Sequence, residues 1–264
     1  MKEFRRYAMI SRPDAASDEL CERAIRDLDA RGYIRDELHP DVAFVIGGDG
    51  TFIYAVHHMM RTIGRGIDKV HFYGIHTGTL GFYTDYKDAD YDEFMADFFE
   101  NRLHEASFPL LQAEYGPDMH NAVNEIRIEN AARTQVMDVY VNDVFFETFR
   151  GTGMCVCTQF GSTAYNRSLG GAVIQEGMDF IELTEISGIH HSKYRSLDAP
   201  LILKKDTVLE FRSESFKGAL LGCDADVYRL DDVNSVRLFV CKSAEVHMLR
   251  GRDVSYFERL KSLF

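Results

Sequence analysis

The stretch "VAFVIGGDGTF" (residues 42–52) sets an apolar run against Gly47, Gly48, Asp49, Gly50 and Thr51. A run apolar throughout suits a parallel strand covered on both faces, and ligands collect where such strands end. Glycines let ligand atoms approach backbone N–H groups, and a helix starting near Thr51 would aim its N-terminus at the same place. Gly47, Gly48, Gly50 and Thr51 therefore form a candidate phosphate cradle. Asp49 does not fit a pure anion site. A carboxylate beside phosphates has two tasks open to it: taking a proton from an attacking hydroxyl, or helping to hold Mg²⁺. Both belong to phosphoryl transfer to an alcohol. The plainer alternative is a tight strand–helix turn with Asp49 as the N-cap. The chain contains neither G-x-x-x-x-G-K-[ST] nor G-x-G-x-x-G, so it carries no standard P-loop or dinucleotide fingerprint.

Other residues invite chemistry less strongly. His57-His58 and His190-His191 are adjacent pairs, which cannot face one metal together from a helix; partly exposed histidines are expected. Ser162 in "FGSTAY" lacks the G-x-S-x-G setting of a hydrolase nucleophile. Arg150, Lys193 and Arg195 are local sources of positive charge. Five cysteines, Cys21, Cys155, Cys157, Cys223 and Cys241, form no C-x-x-C pair and read as free thiols, with Cys155 and Cys157 as small core residues of one strand.

The elements that must position these residues follow from periodicity. Strands are expected at 5–11, 41–46 and 69–75, and helices from Asp14 to Gly32, over 51–63 and near 88–102, which makes residues 1–100 an α/β domain with a parallel sheet. Residues 101–249 read as a β-rich domain of short strands with polar turns at Gly116-Pro117-Asp118 and Asn142-Asp143, with "FGSTAYNRSLGG" as a helical interruption. The tail, 250–264, is expected to pack back through Phe257, Leu260, Leu263 and Phe264. Lys+Arg 30 against Asp+Glu 42 gives −12, which disfavours a broad nucleic-acid or anionic-membrane surface. There is no signal-peptide pattern and no apolar run approaching the roughly 20 residues of a membrane helix, so a cytoplasmic protein is expected.

"GGDGT", then "HTGTLGFYTD", "NE" at 124–125 and "TQFGSTAYNRSLGGAV" together resemble the NAD kinase family, most closely its compact Gram-positive members. The ordered motifs run from about residue 42 to about residue 225. GGDGT alone is shared with lipid kinases; the "NE" pair with "GSTAYNRSLGG" is far more specific. The resemblance implies phosphorylation of the adenosine-ribose 2′-hydroxyl of NAD to give NADP, with ATP or inorganic polyphosphate as donor and a divalent metal such as Mg²⁺. It also implies an α/β domain and a β-sandwich domain with the site between them, in homodimers or homotetramers. By this resemblance Asp49 activates the acceptor hydroxyl, and Gly48, Gly50 and Thr51 form the phosphate loop. Phe82 and Tyr83 line the adenine end, while Asn124 and Glu125 bind adenosine. Thr163 and Ala164 meet adenine, Tyr165 packs on NAD, Ser168 lies toward the nicotinamide, and Asp224 contacts the ribose region.

Four departures from the family pattern stand on the recognition side. Thr152 replaces a usual aspartate that helps bind the nicotinamide amide. Gln159 and Phe160 replace a "P-T" or "P-S" pair, Ser187 stands near a small apolar position, and Ala225 follows Asp224 where relatives carry a polar residue. These changes suggest altered affinity or an altered acceptor, with the reacting loop unchanged. Two other readings remain open: a related GGDGT kinase with another acceptor, and a dinucleotide sensor without turnover.

Overall fold

The computed structural model describes residues 4–78, 81–190 and 195–263, apart from the side chain of Arg65. His191, Lys193 and Phe264 lie outside the described residues. The chain divides into two compact units, one of residues 1–108 and 243–264, the other of residues 109–242.

The first unit is built on parallel strands: β1 (Arg6–Ser11), β2 (Ile34–Arg35), β3 (Val42–Ile46), β4 (His71–His76) and β5 (Tyr86–Lys87). Their order β2-β1-β3-β4 places β3 at the centre, which is why all five of its residues are buried. Helix α1 (Ala15–Ala30) starts where the Asp14 carboxylate accepts the Ser17 N–H at 3.1 Å, an N-cap. Helix α2 (Asp49–Ile63) begins two residues earlier than the apolar pattern suggests, with Gly48 as N-cap. Asp49 is thus the first helical residue and not the cap. Phe52, Ala55, Val56, His57 and Met59 form the buried stripe of α2, and His57 is correspondingly buried, not partly exposed as read from the sequence. Helix α3 (Tyr91–Phe99) supplies Phe94 and Phe98 to an aromatic core with Phe44 and Tyr73; the Tyr73 and Phe94 rings stack 4.1 Å apart. Burial of such side chains contributes about 1.5–3 kcal/mol each.

The second unit is antiparallel. It contains β7 (Asp118–Ala122), β8 (Glu125–Glu129), β9 (Gln135–Val141), β10 (Val144–Gly151), β11 (Gly153–Thr158), β12 (Phe180–Ile186), β13 (Leu201–Lys204), β14 (Leu209–Arg212), β15 (Leu220–Cys223) and β16 (Asp226–Arg229). Two longer strands, β6 (His104–Tyr115) and β17 (Ser235–Arg250), run from one unit into the other. One sheet of this unit has the order β13-β12-β11-β8-β15-β16, and β10-β9-β14 continues to β17 in the other. Side chains of both sheets, among them Met137, Phe149, Phe211, Ile126, Val156 and Leu221, share one core, as a sandwich requires. Asn142 and Asp143 both have positive φ, 49° and 64°, the backbone of a tight hairpin turn between β9 and β10. The helical interruption is short: a 3₁₀ turn at Gly161–Thr163 and α4 (Tyr165–Ser168). β12 and β13 carry no strong alternation and were not expected. Residues 235–250 form one strand that includes the exposed Lys242 and Ser243.

The C-terminal helix α5 (Tyr256–Lys261) docks differently from the apolar stripe expected of it. Phe257 is 60% exposed, and the buried residue is Arg259. Its guanidinium donates to the carbonyls of Thr84 (2.6 Å) and Gly81 (3.3 Å) and pairs with Asp85, which also binds Arg250 at 2.7 Å and the Gly251 N–H at 3.0 Å. Arg250 donates in turn to the Phe82 carbonyl at 3.0 Å. All three charged side chains are buried. Removing Asp85 leaves two buried guanidinium groups without their carboxylate, so Asp85→Ala is expected to cost about 3–5 kcal/mol. Chemical denaturation checks this; a loss under 1 kcal/mol would show the network to be dispensable.

Candidate functional site

The candidate residues fall in both units. In the first unit, α2 puts Asp49 on its opening turn, half-buried. Its carboxylate accepts the Phe82 N–H at 3.0 Å from each oxygen and the Tyr83 N–H at 3.2 Å. These two charge-assisted bonds fix the acid in place. The arrangement requires Gly81: a Cβ there would lie 2.1 Å from Asp49 Oδ1. The Thr51 and Phe52 amides turn to the Gly48 carbonyl, at 2.9 and 3.1 Å, while the exposed Gly50 stands at the mouth of the helix. An anion is favoured at such a terminus. Phe82 and Tyr83 are themselves buried, at 7% and 3% exposure, with Tyr83 stacked on Phe52 at 4.8 Å. It is their amides, more than their rings, that organise this end.

In the second unit the turn before β8 is anchored by Asp224, a buried residue with φ of 51°. Its carboxylate accepts the N–H groups of Val123 (2.7 Å), Asn124 (2.8 Å) and Glu125 (3.1 Å), and its own N–H returns to the Glu125 carbonyl. Asp224 thus holds Asn124 and Glu125 in place. Glu125 is 5% exposed; one oxygen accepts Arg127 Nη1 at 3.0 Å, and the other, Oε2, is buried with no hydrogen-bond partner. Burial first, and the Asp224 charge second, push its pKa up to about 7. A buried acceptor without a donor is costly.

Around the 3₁₀ turn, Thr163 Oγ1 donates to the Phe160 carbonyl at 3.0 Å and the half-buried Ala164 follows it. Tyr165 is 37% exposed and Ser168, at the end of α4, is exposed. Ser162 donates to the Gln159 carbonyl at 2.6 Å and accepts the Ile174 N–H at 3.0 Å, a structural task that leaves no nucleophile. Gln159 accepts the Gly177 N–H at 3.0 Å, so this substitution secures a loop. The half-buried Thr152 is tied through its backbone to Ile186 and Asn130, and Ser187 is exposed with φ of 48°.

Arg127 escaped the sequence reading. Strand alternation puts Glu125, Arg127 and Glu129 on one face of β8, and that spacing was the available signal.

Metal fitness can be judged from donors. Among the described residues, one group of three ligating side chains has donor atoms within 4.8 Å: Glu185, His190 and Asp198, in the second unit. No such group surrounds Asp49. A divalent ion at the loop would therefore take most of its ligands from phosphate oxygens and water, the usual pattern for Mg²⁺. Among the described residues no helix is long and apolar enough to cross a membrane, and all five cysteines are free.

Residues 123–249 match the ATP-NAD kinase C-terminal domain. Over 265 residues the chain is 38% identical to the NAD kinase of Levilactobacillus brevis, covering 98% of this chain and 97% of that one. It is 32% identical to NAD kinase 1 of Listeria monocytogenes, covering 98% of each. Among solved structures it is similar to yeast NADH kinase complexed with NADH (TM-score 0.79, 16% identity, 99% of this chain and 87% of that one). It is also similar to an NAD kinase from Archaeoglobus fulgidus in complex with ATP (TM-score 0.78, 20% identity, 98% of each). At these identities the two structures speak to fold.

The raised pKa of Glu125 carries a stability prediction. The folded state binds this proton more tightly than the unfolded chain, so the contribution is complete below pH about 4.5 and is lost as pH rises through about 7. Glu125→Gln should flatten the fall of Tm across that window. Parallel Tm profiles for the two proteins would mean that Glu125 titrates normally.

Proposed function

The chain belongs to the NAD kinase family, and from that premise we propose that it carries the terminal phosphoryl group of ATP to NAD, giving NADP. The acceptor in this reading is the adenosine-ribose 2′-hydroxyl. The observation that carries it is the placement of Asp49: a half-buried carboxylate on the first turn of α2, held by two amides, beside glycines that admit phosphate. Asp49 takes the proton of the attacking hydroxyl. The loop of Gly48, Gly50 and Thr51 carries the donor phosphates on the positive end of the helix. A divalent cation such as Mg²⁺, bound with the triphosphate, neutralises part of its charge. Positioning and electrostatics supply most of the rate in such transfers.

Glu125 offers its unpartnered oxygen to a ribose hydroxyl, Asn124 holds the base, and Asp224 fixes both through their backbone. In the first unit Phe82 and Tyr83 are assigned to adenine; in the second, Thr163 and Ala164 are assigned to the base and Tyr165 to the dinucleotide. Ser168, Ser187 and Thr152 lie toward the nicotinamide, where a neutral threonine in place of an acid weakens the hold on the carboxamide. A homodimer or homotetramer in a reducing, cytoplasmic compartment accords with the family and with the free thiols. Inorganic polyphosphate is the alternative donor.

A dehydrogenase-coupled assay with NAD, ATP and Mg²⁺ tests the reading; NAD binding without NADP formation would indicate a sensor. Asp49→Asn should lower kcat by about 10²–10⁴-fold, the range of general-base catalysis, with NAD affinity within a few fold. Near-normal kcat would remove Asp49 from the mechanism. Gly81→Ala should displace the Asp49 carboxylate and lower kcat in a folded protein, as circular dichroism and rate together report.

A further inference from the structure

Arg127 joins parts of the second unit that the proposed reading treats separately. Its Nη1 donates to Glu125 at 3.0 Å and its Nη2 to the Asp224 carbonyl at 3.4 Å. The guanidinium lies 4.7 Å from the centre of the Tyr165 ring, a cation–π distance. Tyr165 is tied from its other end, its hydroxyl donating to Glu129 at 3.3 Å, and Glu129 stands 3.5 Å from Arg127 Nε. The slot is shaped for this side chain. In register beside Arg127 lie Cys155 on β11 and Gly222 on β15, both small, and a Cβ on Gly222 would come within 2.8 Å of Nη2.

We propose that Arg127 is a positioning residue for the nucleoside: it holds the Glu125 carboxylate and the Tyr165 ring in one arrangement, so that both meet the same bound NAD. This rests on the NAD reading and names a determinant of affinity within it. The guanidinium lies over one face of the partly exposed Tyr165 ring and helps to fix it for a flat ligand. Its charge also favours the ionised form of Glu125, the form that accepts from a hydroxyl through its unpartnered oxygen. The groups facing Glu125 are Arg127 and Glu129 on its own strand, Asp224 after β15, and the Cys155 and Cys157 thiols on β11. Burial pushes both thiol pKa values up and keeps them neutral. Arg127 is thus the cation that opposes the acids there among the described residues.

Arg127→Met tests this by calorimetric NAD titration and by steady-state kinetics on the full chain. The NAD Kd and KM should rise about tenfold, the effect of losing one charge-assisted hydrogen bond. The KM for ATP and kcat should stay within about twofold, since Arg127 touches no reacting group. In the wild type, NAD affinity should strengthen as pH rises through about 7; in the variant that midpoint should move higher. Unchanged NAD affinity, or equal losses for NAD and ATP with no shift of the pH midpoint, would overturn the proposal. If Arg127→Met does not fold, Arg127→Gln, which keeps a polar side chain in the slot, carries the same two readouts. Wild-type protein that binds NAD and forms no NADP ends the kinase reading, while the Kd comparison still decides the role of Arg127.

Discussion

The segment Gly81–Asp85 is gripped from both sides of its backbone, and much of the first unit is arranged around that grip. Arginines take its carbonyls: Arg259 those of Gly81 and Thr84, Arg250 that of Phe82. Asp49 takes two of its amides. Asp85 pairs with both buried guanidinium groups, and the carbonyls of the segment accept their remaining N–H groups. The carboxylate proposed as the general base is therefore held by backbone that the C-terminal residues hold in turn. Catalytic acids need such support, because a displacement of about 1 Å can cost two orders of magnitude in rate.

The second unit solves a related problem with a different device. Asp224, forced into a left-handed conformation, gathers three successive N–H groups and so sets the start of β8. Strand alternation then presents Glu125, Arg127 and Glu129 on one face. One of these acids keeps a buried oxygen unpaired. Native proteins rarely leave such an atom unpaired, and in both units an acid holds successive backbone amides.

Several elements were legible because local chemistry agrees with the fold. The start of α1 near Asp14, the apolar β3, the Asn142-Asp143 turn and the buried Cys155 and Cys157 each follow from residue type and spacing. Where reading failed, a partner distant in sequence had decided the outcome. The tail helix looked like an apolar stripe, yet its buried residue is an arginine whose partners lie about 175 positions earlier. His57 is buried because α2 turns that face to the core.

The sequence by itself determined the loop of three glycines around one acid, the two-part α/β and β organisation, and the kinship with NAD kinases, since these rest on spacing along the chain. Only the tertiary structure decided which groups support Asp49, that Asp224 is an anchor for the "NE" turn, and that Arg127 links Glu125 to Tyr165. Those are pairings across tens to hundreds of residues, and hydrogen bonds of that range are set by how strands and helices pack, which no local pattern of residue types encodes.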